Sequence, residues 1–285
     1  MSMSQALAPF AYTDRRVIVT GCSSGIGRAT AELVNGLGAE VIGLDVKPLP
    51  GAEYTIIEAD LSEPESIDAA VEKVGGPLDG LFNCAGLSGR LPALDVVKVN
   101  FLGLRQLTEA LVPRMGAGAA IVNVASLGGL GWEADAEILA GPTGLLSTPD
   151  FAAGVAWWAD HSDHFRHPVF GHGGYQASKK AVILYTIKRA YALAGLGIRI
   201  NSTGPTRTIT PMLDDTRAAH GDGFIDSLPR PLGRDSEAID QARVLAFLNS
   251  AAASFVNGQH LWVDAGEVAG MLAGDIPNPR TAARR

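Results

Sequence analysis

The stretch Val17-Ile18-Val19-Thr20-Gly21-Cys22-Ser23-Ser24-Gly25-Ile26-Gly27 decides the fold class, because it joins an apolar strand to a helix through three glycines. Gly21 permits a sharp exit from the strand, while Gly25 and Gly27 leave room for a ligand and for close helix–strand packing. The N–H groups around Ser24–Ile26 and the helix dipole would then face a pyrophosphate. This context predicts a dinucleotide-binding loop, with an ordinary structural βα turn as the alternative.

An acidic residue on the next strand strengthens the first interpretation. Asp45 ends that strand, 24 residues after Gly21, where its carboxylate would accept hydrogen bonds from the adenosine ribose hydroxyls. The same charge would repel a 2′-phosphate and so favours NAD over NADP, although Arg28 or Lys47 could soften that preference. The alternative is that Asp45 merely caps a turn, as Asp often does.

Strand-like and helix-like segments alternate along the whole chain. This alternation predicts a single α/β domain, 1–285, with a doubly wound Rossmann-type parallel sheet of about seven strands and helices on both faces. The predicted strands are Val17–Thr20, Glu40–Leu44, Tyr54–Glu58, Gly80–Asn83, Ala120–Val124, Ile198–Asn201 and His260–Val263. The predicted helices are Ile26–Leu37, Ile67–Val74, Val96–Met115, Ala181–Leu193 and Glu237–Leu248.

Local signals refine this outline. Ser62-Glu63-Pro64-Glu65 predicts a capping box with proline in the first turn of a helix. Two long stretches, about 127–174 and about 206–234, break the alternation and are expected to be lids or binding loops, or to contain short helices. The polar tail from about 275 to 285 is expected to be flexible.

Composition excludes several classes of protein. The chain carries 23 Lys and Arg against 30 Asp and Glu, a net charge of −7, so no basic footprint for nucleic acid or an anionic membrane is expected. Cys22 and Cys84 form no Cys-x-x-Cys pair, which favours a reducing compartment. The N-terminal residues do not resemble a signal peptide, and no apolar run is long enough to span a bilayer. We therefore expect a cytoplasmic protein.

A second group of polar residues indicates acid–base chemistry. Tyr175 and Lys179 stand at i and i+4 at the start of an apolar helix, so their side chains share one face. A neighbouring ammonium, assisted by a cationic nicotinamide, would lower the phenol pKa and produce a base for an alcohol or an acid for a ketone. Ser126 ends a strand and offers a hydroxyl to the substrate oxygen. Alone, Tyr-x-x-x-Lys is a common surface pair, Ser126 a common turn residue and Asn100 a common helix-interior amide.

In combination, these residues resemble the short-chain dehydrogenase/reductase family over about Arg15 to Gly270. The likeness rests on several motifs in the family's order and spacing. They are Thr20-Gly21-x-x-x-Gly25-Ile26-Gly27, Asp60-Leu61, Asn83-Cys84-Ala85-Gly86, Asn100, Ser126, Tyr175-x-x-x-Lys179 and Asn201 through Pro205.

The resemblance implies a role for each matching residue. Tyr175 would be the acid/base, Ser126 would polarise the reacting oxygen, and Asn100 would help to order a proton-relay water. Lys179 would lower the tyrosine pKa and hold the nicotinamide ribose. The remaining cofactor contacts implied are Ser23 and Ser24 in the glycine loop, Asp60 and Leu61 beside the adenine, Asn83 supporting the sheet, Ala85 and Gly86 beside the ribose, and Pro205, Thr208 and Thr210 at the nicotinamide carboxamide and pyrophosphate.

Three departures from the family pattern stand out. Cys84 replaces an asparagine at a position expected to be buried and tolerant, and Thr206 replaces the glycine that usually follows Pro205. Ser126 and Tyr175 are 49 residues apart, so a long insertion separates two of the catalytic groups. Such an insertion is similar to the coniferyl-alcohol dehydrogenase branch and to bacterial 3α-hydroxysteroid dehydrogenase/carbonyl reductases.

The insertion is rich in aromatic and histidine side chains. Trp132, Trp157 and Trp158 could form a lid or wall for a bulky apolar substrate, or cover the insertion's own core or a subunit contact. The spacing of the histidines resembles a metal site, but nearby cysteines and an i, i+4 pair are lacking, so no metal is expected. The histidines are His161, His164, His167 and His172.

These features predict an NAD-dependent alcohol dehydrogenase or carbonyl reductase acting on a bulky apolar alcohol or ketone. A hydroxysteroid dehydrogenase is the alternative enzyme. A non-catalytic NAD sensor is the alternative from another class, and the set of Ser126, Tyr175 and Lys179 argues against it. A homo-oligomer, dimer or tetramer, is expected.

Overall fold

A computed structural model describes residues 2–132, 136–167 and 171–277. The strands are β1 (Arg16–Thr20), β2 (Glu40–Asp45), β3 (Thr55–Glu58), β4 (Leu78–Asn83), β5 (Met115–Val124), β6 (Arg166–His167), β7 (Gly171–His172), β8 (Arg199–Pro205), β9 (Thr208–Ile209), β10 (Ser236–Glu237) and β11 (His260–Val263). Seven of them form one parallel sheet in the order β11-β8-β5-β4-β1-β2-β3. The four short strands form two separate pairs, β6 with β7 and β9 with β10.

Helices connect these strands, and together they form the predicted Rossmann-type α/β fold. A π-helical turn, Lys98–Gly103, separates α4 from α5. The helices are α1 (Met3–Leu7), α2 (Gly25–Gly36), α3 (Pro64–Val74), α4 (Ala93–Val97), α5 (Leu104–Leu111), α6 (Ala136–Ser147), α7 (Phe151–His161), α8 (Gly174–Ala194), α9 (Pro211–His220), α10 (Asp222–Ser227), α11 (Ala238–Asn249) and α12 (Glu267–Ala273).

The winding of the sheet reverses at β1, which lies beside the central strand β4. Val19 pairs with Gly43 of β2 on one side and with Phe82 of β4 on the other. In open parallel sheets, ligands bind in the crevice outside the carboxyl ends of the strands at this switch point. The ends of β1 and β4, at Thr20 and Asn83, therefore mark where the functional site is expected.

Both faces of the sheet are buried. Ile18 belongs to a large core cluster under α3, α5 and α8, whereas Val17 and Val19 belong to a second cluster under α2 and α11. Alternating side chains of one strand thus enter opposite layers, because successive residues of a strand point to opposite faces. This explains why Val17, Ile18 and Val19 of β1 are all apolar.

A polar network crosses the larger core. The Asn83 amide donates to Thr108 Oγ1 at 3.0 Å and to Asn123 Oδ1 at 2.8 Å, and the Asn123 amide donates to Thr186 Oγ1 at 2.9 Å. All four residues are at most 1% exposed. Buried polar groups with partners specify one arrangement, and this network fixes β4 and β5 to α5 and α8.

Two local predictions were wrong. The capping box at Ser62 does not form, because Glu63 is the N-cap and Pro64 opens the helix. The Ser62 hydroxyl and N–H instead donate to Asp60, at 2.7 and 2.8 Å. The helix predicted over Val96–Met115 contains a π turn and ends earlier, since Met115 pairs with Leu78 as the first residue of β5.

The two long stretches contain short helices, as one of the sequence alternatives proposed. The first holds α6 and α7, and the second holds α9 and α10. Of the flexible tail expected over 275–285, residues 278–285 lie outside the described residues. Among the helices described, none is both long and apolar enough to cross a membrane.

The insertion forms part of the protein core. Leu145, Phe151 and Trp158 are at most 7% exposed and belong to the large core cluster, against which Trp132 and Trp157 pack as half-buried side chains. The aromatic side chains of the insertion therefore pack on the main core of the protein and not on a separate core of the insertion.

The histidines of the insertion form no metal site that the structure describes. His161 stacks on Trp157 with ring centroids 4.4 Å apart. The side chains of His164, His167 and His172 lie outside the described ones, and within the described set no group of three His, Cys, Asp or Glu side chains could hold a metal.

Candidate active site

The glycine loop follows β1 as predicted, and its glycines are sterically required. Gly21 has φ +68°, and a Cβ there would lie 2.8 Å from the Cα of Ala85. A Cβ at Gly27 would lie 2.2 Å from the carbonyl oxygen of Gly21. Gly25, with φ +52°, also adopts the left-handed region. At Gly21 and Gly27, no larger residue fits without moving the backbone.

The N-terminus of α2 is available to an anion. Ser24 is the N-cap, and no described side chain caps the helix there. The N–H groups of Gly25, Ile26 and Gly27 belong to the first turn, which has no intrahelical acceptors. The positive end of the helix dipole lies at the same point. This arrangement fits a pyrophosphate.

Asp45 stands beside the loop at the carboxyl end of β2. Its carboxylate accepts from the Ser23 N–H at 2.9 Å and from the Lys47 N–H at 3.0 Å, and the Ser23 hydroxyl donates to the Lys47 carbonyl at 2.7 Å. Asp45 therefore does cap a turn, as the alternative interpretation proposed. It also fixes a carboxylate next to the glycine loop, where a ribose could be bound.

The other predicted cofactor residues lie at neighbouring strand ends. The Ala85 N–H donates to Thr20 Oγ1 at 2.9 Å. A Cβ at Gly86 would lie 3.2 Å from Asn100 Oδ1 and 3.5 Å from Lys179 Nζ, so these two polar atoms flank the glycine. Leu61 is buried and its carbonyl faces the π turn.

Ser126 and Tyr175 come together despite the insertion between them. A Cβ at Gly128 would lie 2.9 Å from Tyr175 Cε1 and 3.6 Å from Ser126 Oγ, which places both side chains around this glycine. Burial raises the pKa of Tyr175, and a hydrogen bond with Ser126 partly offsets that rise. The Ser126 hydroxyl also accepts from the Gly128 N–H at 3.0 Å.

Lys179 lies behind the tyrosine. It is 4% exposed, and its Nζ donates to the Val124 carbonyl at 2.9 Å and lies 5.8 Å from the centroid of the Tyr175 ring. Burial lowers the pKa of Lys179 to about 8. Below that pH Lys179 therefore carries a buried positive charge close to the phenol ring.

Asn100 occupies the π turn between α4 and α5. Its Oδ1 accepts from the Leu87 N–H at 2.7 Å, and its amide donates to the Leu87 carbonyl at 3.1 Å. The Asn100 amide also donates to Ser178 Oγ, at a longer distance of 3.4 Å. π-helical turns are rare and often mark functional sites. The side chain thus bridges the loop after β4 to the helix that carries Tyr175.

The segment after β8 closes against the glycine loop. The methyl group of Thr210 would lie 3.1 Å from a Cβ at Gly25, and Thr208 is 6% exposed. Pro205 ends β8, and the Thr206 hydroxyl donates to Glu267 at 2.5 Å. The unusual Pro205-Thr206 pair is therefore held by a hydrogen bond that a glycine could not make.

Sequence reasoning missed three residues that shape this region. Glu267, 3% exposed, holds Thr206; Arg90 contacts Asp215 on α9 at 3.7 Å; and Arg105 reaches the insertion. Each contact joins residues far apart in the chain, so no local pattern signals it.

The family follows from matches along most of the chain. Residues 15–134 match the family model for short chain dehydrogenases, and residues 162–267 match the model described as Enoyl-(Acyl carrier protein) reductase. The chain belongs to the short-chain dehydrogenase/reductase family. It is therefore an oxidoreductase, and the stretch between the two matches falls inside the insertion.

Similar proteins in this family share nearly the full length. Coniferyl-alcohol dehydrogenase of Pseudomonas sp. strain HR199 is 34% identical over 89% of this chain and 96% of its own. The 3-alpha-hydroxysteroid dehydrogenase/carbonyl reductase of Comamonas testosteroni is 31% identical over 88% and 95%. A 3-alpha-hydroxysteroid dehydrogenase from Pseudomonas sp. B-0831, solved in complex with NADH, is 30% identical, with a TM-score of 0.76 and coverage of 92% and 99%.

Proposed function

We propose that this oxidoreductase is an NAD-dependent alcohol dehydrogenase or carbonyl reductase for a bulky apolar substrate, an aromatic alcohol or ketone. The observation that carries the proposal is the convergence of Ser126 and Tyr175 around Gly128, with Lys179 and Asn100 around Gly86. These four side chains lie at the carboxyl edge of the sheet, beside a glycine loop suited to a pyrophosphate.

The chain's own residues supply the proton chemistry. Tyr175 Oη removes the hydroxyl proton of an alcohol, or returns it to a ketone oxygen in reverse. The Ser126 hydroxyl donates to the same oxygen and stabilises the charge that develops there. Bound NAD would supply the hydride acceptor. Burial raises the pKa of Tyr175 and the hydrogen bond with Ser126 partly offsets that rise. The role proposed for Lys179 is to favour the phenolate further, since a nearby ammonium stabilises a negative charge.

The cofactor preference rests on Asp45. Its carboxylate is fixed at the end of β2 by the Ser23 and Lys47 N–H groups, and a fixed negative charge there disfavours a 2′-phosphate. The solved relative in complex with NADH supports the same choice. We also propose that the protein is a cytoplasmic homo-oligomer, a dimer or tetramer.

A hydroxysteroid substrate is the second candidate, favoured by the names of two of the similar proteins. Aromatic alcohols, secondary alcohols and sterols with NAD⁺, followed by NADH absorbance, separate the two. Turnover of aryl alcohols supports the first candidate and turnover of sterols the second. NAD binding without turnover of any alcohol would instead support a sensor.

A further inference from the structure

The insertion is attached to the turn that carries Asn100. Helix α7 packs on the π turn Lys98–Gly103, and α6 packs on α8. Leu102, the fifth residue of the π turn, is fully buried and contacts Gly154 of α7. A Cβ at Gly154 would lie 2.4 Å from Leu102 Cδ2, so the glycine permits this contact.

Arg105 makes a second attachment. From the first turn of α5, its guanidinium donates to the carbonyls of Leu145, Thr148 and Asp150 at 3.2, 2.8 and 2.8 Å, and to Thr148 Oγ1 at 3.2 Å. The same group lies 5.4 Å from the ring centroid of Phe101, a π-turn residue. One side chain thus satisfies the carbonyls at the α6–α7 connection and covers the residue next to Asn100.

A π turn needs external support, because the continuous α-helix on either side is the lower-energy arrangement for most sequences. On the site side, the turn is supported by the hydrogen bonds of Asn100 with Leu87 and Ser178 and by the packing of the turn on α8. On the opposite side, the support comes from Arg105 and from the contact of Leu102 with Gly154. The insertion therefore contacts the turn where an open loop would leave it exposed to solvent.

We propose that the insertion is a clamp that holds the π turn, and that Arg105 and Gly154 are positioning residues acting through Asn100. The catalytic part of this inference rests on the proposed function, because it assumes that Asn100 assists proton transfer. It assigns the insertion a role in kcat, in contrast to a substrate lid, which would act chiefly on KM for bulky substrates.

The test combines Arg105→Met with Asn100→Ala in a double-mutant cycle. Arg114→Met is the matched control, because Arg114 donates to a backbone carbonyl, that of Val71 at 2.8 Å, outside the insertion. We expect Arg105→Met to lower kcat about tenfold, as for a displaced catalytic group, with KM within twofold. In the Asn100→Ala background the same substitution should cost almost nothing. Arg105→Lys should recover part of the lost rate.

Hydrogen exchange tests the clamp without any activity. The amides of 98–103 in the unliganded protein should exchange faster in Arg105→Met and stay unchanged in Arg114→Met, since local opening follows the loss of supporting contacts. Unchanged exchange there would overturn the clamp. Faster exchange with independent, multiplying effects on kcat would overturn the action through Asn100. Absence of dehydrogenase activity in the wild type would refute the proposed function and leave the exchange result valid.

Discussion

Gly128 and Tyr175 approach so closely that a β-carbon at the glycine would lie 2.9 Å from Cε1 of the tyrosine ring. That distance is shorter than ordinary contacts between carbon atoms, so the ring must move if any side chain is introduced. Because Ser126 Oγ borders the same space, Gly128 fixes where the phenol and the hydroxyl meet.

Gly128→Ala should therefore reduce turnover by moving the Tyr175 ring. A displacement of about 1 Å at a reacting group costs on the order of 100-fold in rate, and we expect a loss in kcat of about that size. Gly116→Ala is the control, because nothing lies within 4 Å of a Cβ at Gly116. Steady-state kinetics of both variants test this prediction. Equal kcat values for the two variants would show that the Tyr175 ring can accommodate the added methyl group without leaving its catalytic position.

Lys179 should contribute a free energy of unfolding that rises with pH in the alkaline range. Its pKa falls from an ordinary value of 10.5 to about 8 on burial, so the unfolded chain binds more protons between those values. The contribution of Lys179 to stability must therefore rise with pH across that window, by up to about 3 kcal/mol. Cys22 and Cys84, whose pKa values burial raises, act in the opposite direction in any variant, so urea unfolding at pH 7 and pH 10 should show the rise as a growing difference between the wild type and Lys179→Met. A parallel response of the two proteins would contradict it.

His260 should make the stability of the protein depend on pH in the acidic range. It is half-buried between Ser202, whose Oγ lies 2.9 Å from Nδ1, and Trp262, and desolvation lowers its pKa from 6.5 to about 4. The unfolded chain then binds more protons below pH 6.5, so stability should fall as the pH drops toward 4. His260→Gln should flatten this part of the profile of the free energy of unfolding. A profile as steep as that of the wild type would assign acid sensitivity to other groups.

Asp45 should set the cofactor preference. Asp45→Ala removes the charge that disfavours a 2′-phosphate, and it should lower the ratio of kcat/KM for NAD to that for NADP about tenfold or more. Glu58→Ala is a control on the adjacent strand, since Glu58 pairs with Asp45 in the sheet register. An unaltered ratio in Asp45→Ala would mean that the preference comes from elsewhere.

The sheet was predictable because each strand is a short β-branched run between turn signals. Of the seven predicted strands, His260–Val263 agrees with the observed strand at both ends. Each of the others overlaps its observed strand and differs from it by one to five residues at one or both ends. The glycine loop was predictable for a stronger reason: Gly21, Gly25 and Gly27 have steric requirements that few other structures impose. Local chemistry of this kind is visible in one segment of sequence.

Features that depend on distant residues were not predictable. The π turn has an ordinary helical sequence, and it forms where Asn100 bonds to Leu87 and Leu102 meets Gly154. The capping box at Ser62 failed because the N-cap is Glu63, one residue later, while the Ser62 hydroxyl donates to Asp60. The insertion is joined to α5 by Arg105, whose acceptors lie 40 to 45 residues away in sequence, so no local pattern signals the contact.

The most direct test of the account is Tyr175→Phe, which removes one oxygen atom from the site. The variant and the wild type are compared for NAD⁺ binding by calorimetry and for NADH formation from a panel of aryl alcohols and sterols. We expect NAD⁺ affinity to remain within a few-fold and kcat to fall by about 100-fold or more, the usual contribution of a general acid–base group. A Tyr175→Phe protein that binds NAD⁺ and turns over at nearly the wild-type rate would contradict the central claim.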